Sequence, residues 1–189
     1  MNQRICSVTA IIAAMWIVHL IDVVLVSMNF NVYGLVPRTL SGLPGIVLMP
    51  FLHGGWGHLI GNTIPLSILL MILVATRKDY CQVIASIVIF GGLFLWCFGR
   101  TAMHVGASAL VYGLVGFLIA SGFMERKIIP AIISLLVGIL YGMTLLAGVL
   151  PTVGSNVSWD GHLFGAIAGV STAYAMSKYP KSLKTMSTK

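Results

Sequence analysis

Six apolar stretches that carry almost no charge themselves leave this chain few ways to fold. They run from Ile5 to about Val26, His58 to Ala75, Tyr80 to Phe98, Ser108 to Phe123, Ile128 to Leu150 and His162 to Met176. A backbone inside a bilayer must satisfy its own hydrogen bonds, so apolar runs of this length predict membrane helices. Only 8% of the residues are charged, against about 25% in a soluble domain. The expected fold class is an all-α membrane protein with six spans in a single domain, 1–189. No repeat, low-complexity tract or linker marks a second domain. The first run follows Arg4, is long for a signal peptide and lacks a small-x-small cleavage site, so it reads as the first span. A net charge of +7 suits nucleic acid in a soluble protein. Here the basic residues fall between and after the apolar runs, and no nucleic-acid partner is expected. Cys6, Cys81 and Cys97 show no pair or metal spacing.

With six spans both termini share a side. That side collects Arg4, Arg77, Lys78, Arg126, Lys127, Lys178, Lys181, Lys184 and Lys189, whereas the other holds Arg38 and Arg100. The positive-inside rule therefore predicts cytoplasmic termini. The connection from Asn29 to Trp56 contains Tyr33, Pro37, Pro44, Pro50 and Phe51. It is too apolar for a free linker and too interrupted for a span, which predicts an interfacial loop partly embedded in the membrane. Pro65 is expected to kink the second span near Gly61, and Pro130 suits the first turn of the fifth. His19 and Asp22 share a face of the first span, and Asp22, near its far end, reads as a polar contact to water or a loop.

A few polar side chains remain inside the spans, and they fall at one depth. Counting up from the inner basic markers, Ser108 lies roughly 26 Å above Glu125, His162 roughly 24 Å above Lys178, and Asn62 and His58 roughly 22 and 28 Å above Arg77. Polar groups in a bilayer are costly unless they pair or face water, so a shared depth predicts that they face one another. Ser108, Tyr112, Gly116 and Ala120 form one helical stripe, and His162, Gly165, Ala166, Gly169 and Ala173 form another. Small residues at these spacings let two membrane helices approach closely. Ser108 follows the glycine-rich turn His104-Val105-Gly106-Ala107 and should open its helix. Its hydroxyl is either packing glue between helices or a nucleophile. As a nucleophile it needs a base, for which His162 is suited, and donors for an oxyanion, for which the helix-start amides, His58 and Asn62 are available. Asp160 is assigned to the loop before His162, so a Ser–His dyad is the simpler arrangement. Tyr112, one turn below Ser108, is either core or packs on the His162 ring.

These residues resemble the rhomboid family of intramembrane serine proteases. Gly106-Ala107-Ser108-Ala109 resembles its Gly-x-Ser-Gly nucleophile turn. The stretch from His53 through His58 to Asn62 resembles its second-helix motif, and Trp159-Asp160-Gly161-His162 resembles its last-helix motif. The resemblance implies Ser108 as nucleophile and His162 as general base. It implies His58, Asn62 and the Ser108 amide as oxyanion donors, with Tyr112 packed on the base. It also implies no cofactor and no metal, and a membrane-embedded first outer loop. The fifth span and the loop from Leu150 to Ser158 become gate and cap over a water-filled cavity. Implied substrates are single-span or other transmembrane proteins, cut near the outer end of the membrane segment. The implied location is the lipid bilayer of a prokaryotic plasma (inner) membrane. Ala109 stands where the family more often has glycine, and Pro44-Gly45 where it often has a Trp-Arg pair. Two other readings use the same residues. One is a catalytically inactive rhomboid-like protein that binds transmembrane helices. The other is a metal site or transporter built on His53, His58, His104 and His162, against which the zinc spacings are missing.

Overall fold

In a computed structural model, the residues described are 2–25, 29–151 and 157–178. Residues 26–28, the centre of the expected cap loop at 152–156, and the tail with Lys181, Lys184 and Lys189 lie outside them. The described residues form seven α-helices: α1 (Asn2–Val24), α2 (Gly45–Leu48), α3 (Trp56–Thr76), α4 (Tyr80–Phe98), α5 (Ser108–Met124), α6 (Ile128–Gly148) and α7 (Trp159–Lys178). Six of these coincide with the six apolar runs to within a few residues at each end.

Four helices, α1, α3, α4 and α6, are long and apolar enough to cross a bilayer on their own account. At 17 residues α5 is shorter, and α7 carries polar and small residues along its length. The difference has a packing cause. Helix α5 is the centre of the bundle, with α3, α4, α6 and α7 all packed on it. A helix surrounded by protein needs no greasy face for lipid, whereas α6 keeps only Ser134, Val137 and Gly148 buried and exposes long rows of Ile and Leu.

Lipid tails are as apolar as leucine, so helices here associate through close packing and hydrogen bonds. The α5–α7 contact shows this most sharply. A methyl group at Gly165 would strike the Ala109 carbonyl, and one at Gly169 would strike that of Gly113. Gly116 lies against the Ala166 carbonyl in the same way. The closest α5–α7 approach thus runs along Ala109, Gly113 and Gly116, beside the expected Ser108–Tyr112–Gly116 stripe, of which Gly116 takes part in it and Tyr112 meets α7 through its ring. Side-chain bonds tie α1 to α3 and α4: Trp16 Nε1 donates to Thr63 Oγ1 at 3.1 Å, and Ser7 Oγ lies 3.1 Å from the Tyr80 hydroxyl.

The long first connection is a chain of short turns around α2, three of them 3₁₀. Leu35, Ile46, Met49 and Leu52 are buried, and α2 packs on α4 with Ile46 set against Gly92. Asp22 anchors its start by accepting from the Phe30 amide at 2.6 Å, as the sequence suggested for this carboxylate. Leu35 and His104 exchange backbone hydrogen bonds at 3.0 and 2.8 Å, which joins this connection to the segment that leads into Ser108. Arg38 closes the other side by donating to the Gly99 carbonyl at 2.6 Å and to Thr101 Oγ1 at 2.9 Å.

Candidate active site

Ser108 is the first residue of α5, and the turn before it depends on one glycine. Gly106 adopts φ +110°, a conformation that side chains rarely tolerate. Its amide donates to the Met49 carbonyl at 2.8 Å, which fixes the turn against the first connection. The first amides of a helix lack intrahelical acceptors, and no side chain caps α5. Those N–H groups, with the positive end of the helix dipole, accompany Ser108.

A cavity of about 970 Å³ opens at this end of the bundle, and Ser108, Tyr112, His58, Asn62 and His162 all line it. Its walls come from α3, α5, α6, α7 and the segment before Ser108. The expected site residues therefore share one hollow. Among the described residues the Ser108 hydroxyl makes no hydrogen bond, to His162 or to any other group.

His162 is buried on the first turns of α7, and its ring lies flat on Tyr112, with centroids 4.0 Å apart and planes 5° apart. Its Nδ1 is 2.9 Å from the Gly148 carbonyl oxygen at the end of α6. A carbonyl can only accept, so Nδ1 carries the proton and a neutral ring keeps Nε2 as a free lone pair. Tyr112 is held in turn by its hydroxyl, which donates to the Thr144 carbonyl at 3.0 Å. The sequence held no sign of Gly148 as a partner of His162, because the contact is made by backbone.

On α3, Asn62 is buried, and among the described residues its Nδ2 has no hydrogen-bond partner. A methyl placed on Gly106 would stand 3.4 Å from that Nδ2 and 2.5 Å from His58 Cε1 and Nε2. Both side chains thus crowd the turn that presents Ser108. His58 packs edge-on against His53 at 5.1 Å. His53 lies outside the helices and is buried. Desolvation first, and then the nearby His58, pull its pKa down to about 4.

Asp160 is not in a loop. It sits in the first turn of α7, fully buried, and is bonded to the segment before Ser108. Its carboxylate accepts from the Arg100 amide at 2.9 Å and pairs with Arg100 Nε at 3.4 Å. Arg100 also donates to the Val157 carbonyl at 2.5 Å. His104 lies in the same clasp: Nε2 donates to the Arg100 carbonyl at 3.3 Å, so Nδ1 accepts from the Ser158 hydroxyl at 2.7 Å. Burial lowers the His104 pKa, with Asp160 opposing. This Arg100–Asp160–His104–Ser158 clasp binds the start of α7 to the Ser108 turn. Sequence reasoning missed it, although Arg100 stood out as one of two outward basic residues. Among the described residues no group of three or more His, Cys, Asp or Glu side chains is placed to hold a metal.

A helical integral membrane protein with a serine, a histidine and amide donors around one hollow is the class that this arrangement defines. A family model for the rhomboid domain matches residues 41–179, and the chain belongs to the rhomboid family. That family is generally one of serine proteases acting on membrane proteins within the bilayer. Uncharacterized proteins of Mycobacterium tuberculosis and Mycobacterium bovis are each 38% identical to this chain over 180 residues, covering 90% of it and 74% of the relative. An uncharacterized protein of Mycobacterium leprae is 41% identical over 142 residues, 70% of this chain and 56% of that protein.

Proposed function

We propose that the chain is an active intramembrane serine endopeptidase, a single rhomboid-like domain over residues 1–189 with six spans. In this reading both termini are cytoplasmic in a prokaryotic plasma membrane, and the first connection dips into the outer leaflet. Substrates are membrane-anchored proteins cut near the outer end of a transmembrane segment.

The observation that carries the reading is the state of His162. With Nδ1–H bound to the Gly148 carbonyl, the ring offers Nε2 as a base to the hollow that Ser108 shares. As Ser108 Oγ attacks the substrate carbonyl carbon, its proton passes to Nε2. Negative charge moves to the carbonyl oxygen, where the Ser108 amide, Asn62 Nδ2 and His58 act as donors. His162 then gives the proton to the departing amine as the C–N bond breaks, and the acyl-serine remains. Water, deprotonated by Nε2, attacks the acyl carbon and releases the acid and the serine. Tyr112 and Gly106 support this set by holding the base and the nucleophile turn. The unpartnered Asn62 Nδ2 suits the role, since a buried donor without an acceptor is costly unless a ligand oxygen comes to it.

The test compares the parent with Ser108→Ala on single-span substrates in liposomes, with covalent labelling by a fluorophosphonate probe alongside. Cleavage and labelling by the parent, both lost in the variant, are expected. Equal cleavage by both proteins removes Ser108 from the mechanism. A parent that neither cleaves nor reacts, beside a reactive control protease, favours the inactive helix-binding relative.

A further inference from the structure

At the end of the bundle opposite Ser108 a second hollow, of about 820 Å³, lies between the α3–α4 turn and the α5–α6 turn. No part of the proposed proteolysis uses it. Its lining is divided by chemistry. Arg77, Lys78, Arg126 and Lys127 bring four positive charges against the two carboxylates Asp79 and Glu125. Arg77 is committed to the wall: it pairs with Asp79 at 2.9 Å and with Glu125, and sits 5.3 Å over the Phe117 ring. Lys127 lies 3.8 Å from Glu125. Among the described residues Lys78 and Arg126 have no acidic partner.

Two further features aim at an anion. Helix α6 begins here with Lys127 as its cap residue and no side-chain cap; Pro130 has no N–H and the Ala131 amide is taken by the Lys127 carbonyl, so the amides of Ile128 and Ile129 are the ones left for a ligand. Ser121, on the lining from α5, is buried, and its hydroxyl has no partner among the described residues. The remaining wall is apolar, from Phe117, Ile129 and Ile133, and Ile128 and Ile129 stand exposed beside the basic residues. A small soluble anion leaves that wall unused, and a neutral lipid leaves the charge unanswered.

From this we infer that the hollow binds an anionic phospholipid of the surrounding leaflet. Its phosphate sits among Lys78, Arg126 and the Ile128 and Ile129 amides, and an acyl chain runs along Ile129 and Ile133. The occupant bridges the two turns and fastens the base of α6, the least buried of the four long apolar helices. Binding here is independent of chemistry at Ser108, and its test does not read proteolysis.

The detergent-purified full chain is titrated with phosphatidylglycerol or phosphatidylcholine, and bound lipid is counted by native mass spectrometry. The parent is expected to prefer phosphatidylglycerol at least tenfold. Lys78→Ala with Arg126→Ala removes two exposed cations, each worth a few-fold or more against an anionic headgroup, and should weaken that binding about 30-fold. Ile129→Glu keeps both cations, places a carboxylate at an exposed α6 position, and should also abolish the preference. Both variants should retain the parental helix content. Equal affinity of the parent for the two lipids, or parental preference in both variants, overturns the inference. Full displacement of the lipid by millimolar inorganic phosphate also overturns it, because the site then serves a soluble anion.

Discussion

Replacing Gly106 by alanine tests how the nucleophile turn is built. The residue holds φ +110°, where an L side chain costs about 1–3 kcal/mol of backbone strain. The added methyl would also stand 2.5 Å from the His58 ring, and carbon contacts relax at about 3.5 Å, so the ring must retreat by about 1 Å. The ring end is free to move, so this shift adds little to the loss of stability. It does move an oxyanion donor, and a displacement of about 1 Å in a reacting assembly costs on the order of 10²-fold in rate. Gly138→Ala is the matched control. It lies inside α6 with nothing within 4 Å of the new methyl, so helix propensity alone should add up to about 1 kcal/mol. The two alanines should therefore differ by about 1–4 kcal/mol in reversible unfolding in mixed micelles, followed by tryptophan fluorescence. In liposomes Gly106→Ala should cleave about 10²-fold more slowly than the parent, beyond any loss to unfolding. Equal stability of the two variants, with parental cleavage by Gly106→Ala, would refute the argument from backbone conformation and close approach.

Asn62→Leu should raise stability by about 1 kcal/mol, because it removes a buried donor that has no acceptor, yet lower cleavage by about 10²–10³-fold. Loss of stability without loss of rate, measured in the same two assays, would contradict the oxyanion role. Asp160→Ala breaks the clasp at its buried member. Because the Arg100 side chain is 37% exposed and can turn to water, the expected loss is about 1–3 kcal/mol, below that of a fully buried pair. A parental unfolding midpoint in this variant would remove the clasp from the account of stability. Acid should destabilise the fold through His53 and His104, whose pKa values are lowered in the folded chain by burial. A lowered folded pKa means that the unfolded chain binds the proton first. Stability is full above the ordinary histidine value near 6.5, and for His53 it declines as pH falls to about 4. Unfolding scans from pH 7.5 to 4.5 should show the decline, and His53→Gln should flatten it. A profile identical to that of the parent would exclude His53.

The helices were legible in the sequence for a plain reason. A bilayer punishes any polar or unpaired backbone group, so apolar runs and basic turns mark the helix ends closely, as Tyr80–Phe98 and the start at Ser108 illustrate. The common depth of Ser108, His162, His58 and Asn62 could also be counted along the chain, since rise per residue is constant in a helix. Side chains alone determined that much. Rotation, approach and backbone partners were decided only by the tertiary structure. Where α5 and α7 come closest turned on carbonyl contacts at Ala109 and Gly113, and a stripe read from side-chain spacing held Tyr112 and Gly116 but not these two. The proton on His162 is set by the carbonyl of Gly148, fourteen residues earlier on another helix. Asp160 belongs to Arg100 because the last helix begins a turn sooner than its apolar run. Side-chain type and spacing carry little trace of carbonyl positions and helix rotation, because both are fixed by the packing of segments distant in the chain.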